Sequence, residues 1–317
     1  MAVSSVNRVA AWAWAWAWTC AFACACGLVG GCGRFGFDLY VPLGGDGDAG
    51  QEAPADACTF GPFGAAQVLA NVNTTGDEYG AWLSADGLEL VFTSNRTGNR
   101  DLYRATRSAI TAAFDPPTSI AEVSTAANED DAYVTPDGKE LWFNRTSGTL
   151  ITIFRATRQG ATGPFGAPAA VPGVNQGGIT SEGPFLTRDG LTIYFDSDRG
   201  GTAEIYRATR ATTAADFGNV TRVVAMTPPK RAMSPELAAD GVLFFQTDAF
   251  TTRNALASAA PDGGGGFLPP GIAQLSNGTT SEADPAFSPD GQTLIFGSTR
   301  AGGPGGYDLF QATRACQ

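Results

Sequence analysis

From about residue 58 onward, short apolar runs alternate with polar turns, and the pattern recurs about every fifty residues. The clearest marker is an Asp-Gly pair: Asp86-Gly87, Asp137-Gly138, Asp189-Gly190, Asp240-Gly241 and Asp290-Gly291, spaced by 51, 52, 51 and 50 residues. Behind each pair stands a run rich in aromatic and branched residues: "LELVFTS" (88–94), "KELWFNR" (139–145), "LTIYFDS" (191–197), "VLFFQT" (242–247) and "QTLIFGS" (292–298). Runs of this length and composition, bounded by turns, predict strands. The Asp-Gly pair predicts a two-residue hairpin turn, because both residues tolerate positive φ. Another short strand precedes each pair, as in "YGAWLS" (79–84) and "ADPAFS" (283–288). A "YRATR"-type strand follows, and a fourth starts near Phe114, Phe165, Phe217 or Phe267.

Four up-and-down strands repeated five times predict an all-β fold: a five-bladed β-propeller of four-stranded antiparallel blades. The segment "FSPDGQTLIFGSTRAGGPGGYDLFQATR" (287–314) resembles the WD-like propeller repeat of the TolB type. Residues 186–210 and 83–107 are similar to it. The second unit (134–158) lacks the usual Ser-x-Arg, and the fourth (238–260) loses the "YRATR" signature. The resemblance covers 58–317 and implies protein–protein contact in the bacterial envelope. TolB joins its propeller to a separate N-terminal domain, where this chain has only a tether.

The repeat is broken at its ends. Three times, a Phe follows the last Arg of "RATR" by seven residues: Arg107 to Phe114, Arg158 to Phe165, Arg210 to Phe217. After Arg314 only three residues follow, while "CTFGPFGAAQVLANVN" (58–73) is strand-like and has no blade of its own. Taking Phe63 as the missing Phe places Cys58 and Cys316 at one repeat position. The N-terminal strand is therefore expected to complete the fifth blade, with a Cys58–Cys316 disulfide locking the ring.

Ahead of the repeats, Arg8 is followed by an apolar stretch from Val9 to about Cys26, and the next charge is Arg34. This reads as a signal peptide over 1–32. "LVGGC" (28–32) resembles the bacterial lipobox, which implies lipidation at Cys32 and an outer-membrane anchor facing the periplasm or the cell surface. Residues 33–57, rich in Gly, Ala, Asp and Pro, read as a flexible linker. The propeller is assigned to 58–317 and expected to be a monomer in a compartment that permits disulfides.

Charge and composition narrow the chemistry. The net charge of −11, with no compact basic patch, argues against nucleic acid as a partner. The chain has no histidine, which removes Ser-His-Asp and Cys-His catalysis and His-ligated zinc. Acids cluster where the chain enters the innermost strands: Asp77 and Glu78; Glu129, Asp130 and Asp131; Glu182; Glu282 and Asp284. The fourth unit instead brings Lys230 and Arg231 nearby. A ring of such acids at a channel mouth can bind a basic peptide segment or a cation such as Ca2+. No cofactor is expected otherwise. The competing account makes these acids solvated turn residues. Arg96, Arg199 and Arg300 recur in register with the "RATR" arginines, and are read as blade architecture.

Two functions follow. The first is a lipid-anchored, non-enzymatic module that binds an envelope protein or peptide, or a glycan. The second is a glycan-cleaving enzyme, since five-bladed propellers also house glycosidases with channel carboxylates. That chemistry needs an unlike acid pair, whereas recurrent acids at similar offsets suggest a ring of similar groups.

Overall fold

The computed structural model describes residues 58–317. The signal segment, Cys32 and the linker at 33–57 lie outside the described residues. Twenty strands form five four-stranded antiparallel sheets. Blade 1 runs β2 (Glu78–Leu83), β3 (Glu89–Ser94), β4 (Asp101–Thr106) and β5 (Thr118–Ser119). Blade 2 comprises β6 (Glu129–Val134), β7 (Glu140–Ser147), β8 (Leu150–Thr157) and β9 (Ala169–Ala170). Blade 3 comprises β10 (Ser181–Leu186), β11 (Thr192–Ser197), β12 (Glu204–Thr209) and β13 (Gly218–Val224). Blade 4 comprises β14 (Ala232–Leu237), β15 (Leu243–Thr247), β16 (Ala255–Ala259) and β17 (Gly271–Ile272). Blade 5 takes β18 (Glu282–Phe287), β19 (Thr293–Ser298) and β20 (Asp308–Thr313), and its fourth strand is β1 (Gln67–Val68). The first strands of the blades touch one another in cyclic order and form the inner wall of a five-bladed propeller.

The apolar runs explain the packing. Each sheet has one apolar face toward the preceding blade and one toward the next, so the core is divided into five inter-blade layers. Between blades 1 and 2, for example, Val91, Leu102, Ile120 and Val123 meet Val134, Leu141, Phe143 and Phe165. The seam between blades 5 and 1 is packed in the same way, with Leu83, Leu90 and Phe92 against Ala286, Ile295 and Leu309. Burial on both faces is why the second strands read as continuous apolar runs and not as alternating ones.

The Asp-Gly turns differ from the predicted two-residue hairpin. Ser84 N–H reaches Glu89 O and Gly87 N–H reaches Ser84 O at 2.8 Å, which makes a four-residue loop, Ala85 to Leu88. Asp86 Oδ1 accepts from Ser84 Oγ and from Leu88 N–H, and Gly87 takes the positive φ of 68°. The side-chain acceptor stabilises the longer loop, which a bare I′ turn would not use.

The last Arg of "RATR" latches this loop. Arg107, Arg158, Arg210 and Arg314 each donate from Nε to the carbonyl of the turn glycine, at 2.6–2.7 Å. Each guanidinium also lies over the Phe that follows it in the repeat, at 4.3–4.5 Å for Phe114, Phe165 and Phe217. Arg314 covers Phe63 at 4.9 Å, so the residue assigned from register fills the equivalent place across the seam. Phe114 and its counterparts are a lead-in to the fourth strand, which begins four residues later in blades 1 and 2 and is only two residues long there. In blade 4, Phe267 likewise precedes β17 by four residues.

The ends close as expected. Gln67 pairs with Gln311 and Phe60 with Cys316. Cys58 and Cys316 form a disulfide with Cα atoms 5.3 Å apart.

Candidate functional site

Every inner strand carries a bulge after its second residue, where the register shifts. The residue at that point has positive φ in all five blades: Gly80 (56°), Asp131 (53°), Gly183 (60°), Ser234 (50°) and Asp284 (49°). A bulge releases a backbone N–H from its own sheet, and a buried N–H requires an acceptor. Here the neighbouring blade supplies it. Thr93 Oγ1 accepts from Asp131 N–H at 3.2 Å, Asn144 Oδ1 from Gly183 at 3.1 Å and Asp196 Oδ1 from Ser234 at 2.8 Å. The Asp284 carboxyl faces the Gly80 N–H across the seam from blade 5 to blade 1, and between blades 4 and 5 Ser234 Oγ donates to Asp284 Oδ1.

This backbone device sorts the acids. The first residue of the strand points into its blade, and Glu78, Glu129 and Glu282 are wholly buried there. Glu78 accepts from Thr74, Ser94 and Arg96, while Glu129 accepts from Thr125 and Arg145. Glu282 pairs with Thr280 and Arg300. These three predicted mouth residues are therefore blade fasteners and do not line the channel. Their recurrence in register with a recurring Arg is the sequence signal that marks them. In blade 3, Ser181 takes the place of the Glu, and Arg199 bonds it at 3.3 Å.

The second and third residues face the channel. Asp130, Asp131, Glu182 and Asp284 line a cavity of ≈350 Å³ at this mouth, with Asp77, Tyr79, Arg100 and Tyr307 on its rim. Asp77 is committed to structure: its two oxygens accept from Asn95 Nδ2 and from Tyr307 N–H. Among the described residues, Arg100 is the only cation lining the cavity. Its guanidinium donates to Tyr79 OH at 2.9 Å and pairs with Asp130 at 3.4 Å, and the Tyr79 hydroxyl in turn donates to Asp130. Lys230 and Arg231 are not on the cavity wall; they hold Asp248, through its carbonyl and its carboxylate.

One cation among so many carboxyls leaves them mostly without counter-charge, and each resists ionisation. Burial, reinforced by Asp131 and only partly offset by Arg100, pushes Asp130 up to about 7. Burial and the charges of Asp131 and Asp130 push Glu182 up to about 7. Asp131, Asp196 and Asp284 are raised by burial as well, Asp196 further by Glu182 and Asp284 by Asp131. Asp131 is steadied by Asn144 Nδ2 at 3.2 Å, and Asp284 by Ser234 Oγ at 2.6 Å. Asp196 is fully buried opposite Glu182, and its Oδ2 has no hydrogen-bond partner. Among the described residues, no three acids converge closely enough to form a metal-ligating set. The carboxyls are instead spread over blades 2, 3 and 5. Arg100, Tyr79, Asn144, Asp196 and Ser234 belong to the site without having been expected from the sequence. The polar residue next to last in three of the second-strand runs (Thr93, Asn144, Asp196) is the visible trace of these junctions.

Below the mouth the channel narrows to a neck of ≈40 Å³ at the bulge ring and opens on the other side into a second cavity of ≈350 Å³. That second chamber is walled mainly by apolar side chains, Trp82, Tyr133, Phe185 and Phe287 among them.

No family model matches the sequence, and comparison with curated proteins finds no match. Among solved structures, an α-L-arabinofuranosidase from Podospora anserina superimposes with a TM-score of 0.56 at 9% identity, covering 78% of this chain and 95% of that one. The endo-arabinase from Bacteroides thetaiotaomicron gives 0.54 at 10% identity, covering 79% and 97%. A putative TolB from Agrobacterium tumefaciens gives 0.46 at 17% identity, covering 71% of each chain. At these identities the likeness is one of fold alone.

Proposed function

We propose that the chain is a non-enzymatic binding module whose acidic mouth receives a basic segment of a protein partner in the bacterial envelope. The observation that carries this is the set Asp130, Asp131, Glu182 and Asp284 around a ≈350 Å³ opening, with Arg100 as the only counter-charge among the described residues that line it. Carboxyls spread over three blades suit spaced Lys or Arg side chains of an extended segment better than one compact ion. Ligand cations entering this field restore the ionised forms that burial opposes, so part of the binding free energy comes from relieved repulsion. The lipobox-like "LVGGC" supports membrane attachment through Cys32, which would tether the mouth near envelope partners.

The test is titration of a labelled Lys-rich peptide into the protein at low and high salt. Tight binding that weakens with salt and is lost in Asp130→Asn/Glu182→Gln supports the proposal. Equal binding of an acidic control peptide would sink it. Membrane fractionation of Cys32→Ala checks the anchor: unchanged partitioning removes that part of the proposal.

Glycan cleavage is the second reading, favoured by one observation. Asp130 and Glu182, each raised to about 7, could supply a protonated acid beside an ionised one. Turnover on a polysaccharide panel, abolished by Glu182→Gln alone, would replace the binding proposal with this one.

A further inference from the structure

The chamber at the opposite end of the channel has a different character from the acidic mouth. Its wall repeats one position of the inner strands, the residue two after the bulge. That position is Trp82 in β2, Tyr133 in β6, Phe185 in β10 and Glu236 in β14. Phe287 completes the wall from β18. The rings are held in place by each other, Tyr133 and Phe185 meeting edge-to-face at 5.4 Å. Into this aromatic cup projects one carboxyl. Glu236 Oε1 accepts the Phe287 N–H at 3.1 Å, and no Lys or Arg among the described residues forms an ion pair with it. Arg188, the cation on this chamber's wall, is exposed.

A lone carboxyl among aromatic walls is an expensive arrangement for a purely structural residue, because a leucine there would fill the same space without desolvating a charge. It is an economical arrangement for holding a cation. Aromatic faces present negative quadrupole, a carboxylate adds a full charge, and the apolar wall accommodates alkyl groups on the same ligand. A sugar would call for several converging donors and acceptors, and this wall supplies few.

We propose that this chamber is a second ligand site, distinct from the acidic mouth, for a compact alkylammonium group such as a quaternary amine or a methylated lysine side chain. The aromatic side chains Trp82, Tyr133 and Phe185 hold the alkyl shell, and Glu236 supplies the counter-charge. In the free protein, burial holds Glu236 up to about 8, so it is largely neutral near neutral pH. A bound cation favours the ionised carboxylate and releases the proton. Affinity therefore climbs as pH rises toward about 8 and levels off above it. The other titratable groups facing Glu236 are Tyr133, Arg188 at the rim, and Asp131 and Asp284 across the neck. Tyr133 is raised by burial and stays neutral through this range.

The experiment is calorimetric titration of the protein with tetramethylammonium, choline and Nε-trimethyllysine. The uncharged isostere of choline, 3,3-dimethylbutanol, and a monosaccharide panel serve as comparisons. Binding of at least one cation, at least about tenfold tighter than the isostere, is expected. Glu236→Gln, which keeps the shape, should abolish that preference, and Trp82→Leu should weaken binding about tenfold. Four results would each overturn the proposal: no cation bound at millimolar concentration, equal binding of the isostere, preferential binding of a sugar, or affinity flat between about pH 6 and pH 9. Cation binding that survives Glu236→Gln also overturns it, and points to the acidic mouth instead.

Discussion

The Cys58–Cys316 disulfide is the feature whose energetic weight can be worked out most directly. It joins residues separated by 258 positions. In the chain-entropy treatment, closing a loop of that length removes about 19 cal/mol/K from the unfolded chain, or about 5–6 kcal/mol at room temperature. The folded ring does not depend on the bond alone. Gly61, Gly64 and Leu69 donate backbone hydrogen bonds to Ala315, Thr313 and Leu309, and Phe63 packs on Phe287 with ring centroids 6.1 Å apart. The Cys58→Ala/Cys316→Ala protein should therefore fold, but melt about 10–20 °C lower, as expected for a domain of this size losing that much stability. Reductant should bring the unaltered protein down to the same Tm and leave the double variant unmoved. In amide exchange, the Gly64 and Leu69 N–H groups at the seam should lose protection first. The Val171 N–H, which bonds Ile153 inside blade 2, should keep it. A reductant-induced shift below about 2 °C would refute the reasoning, because the bond would then be absent or the unfolded ends already held together.

Three further predictions concern the inner ring. Asp130 and Glu182 are raised to about 7 and Glu236 to about 8, so the folded protein holds these protons more tightly than the unfolded chain. The stability they allow is fully present below about pH 4 and is lost as pH climbs through about 7–8, at about 1.4 kcal/mol for each tenfold difference in proton affinity between the folded and unfolded forms of an isolated group; urea midpoints that stay flat or rise over this range would contradict it. Arg96→Met strands Glu78, which is 0% exposed, and should cost about 3–5 kcal/mol in denaturant titration. Arg199→Met removes neutral partners from Val174 O, Ser197 and Ser181 but strands no carboxylate, and should cost less, about 1–3 kcal/mol. Gly183→Ala would place a methyl group 2.9 Å from Asp196 Oδ1 and from the Ser234 Cα at positive φ, while Gly201→Ala, also at positive φ, meets nothing within 4 Å; calorimetric melting should show the first well beyond the roughly 1 kcal/mol of the second.

The fold is legible in the sequence because its markers lie close together along the chain. An Asp-Gly turn, an Arg twenty residues later that bonds the turn glycine, and a Phe seven beyond that record one local latch, repeated. The same register locates the closing strand from Phe63 and Cys58. The site is less legible because the bulge breaks the alternation that normally separates inward from outward residues. Glu129, Asp130 and Asp131 are consecutive, yet the first is buried in its blade and the other two face the channel. The partners that settle this, such as Asp196 for Ser234, lie 38 residues away in another blade, where no sequence period points. Recurrence marks the arginines as architecture, and the glutamates that match them in register carry the same mark. Charge alone, which makes every acid near the inner strands a mouth residue, does not separate these three fasteners from the channel carboxyls.

The bulge ring also bears on how such a chain can diversify. These junctions join a donor N–H in one blade to an acceptor side chain in its neighbour, and the acceptors differ: a hydroxyl at Thr93, an amide at Asn144 and a carboxyl at Asp196. A blade copied to another place would arrive with an acceptor shaped for a different neighbour. The two halves of each junction belong to different repeats, so a change in one calls for a matching change in the other. Blade order becomes a fixed inheritance, and recombination that shuffles whole blades is penalised even though their backbones are nearly alike.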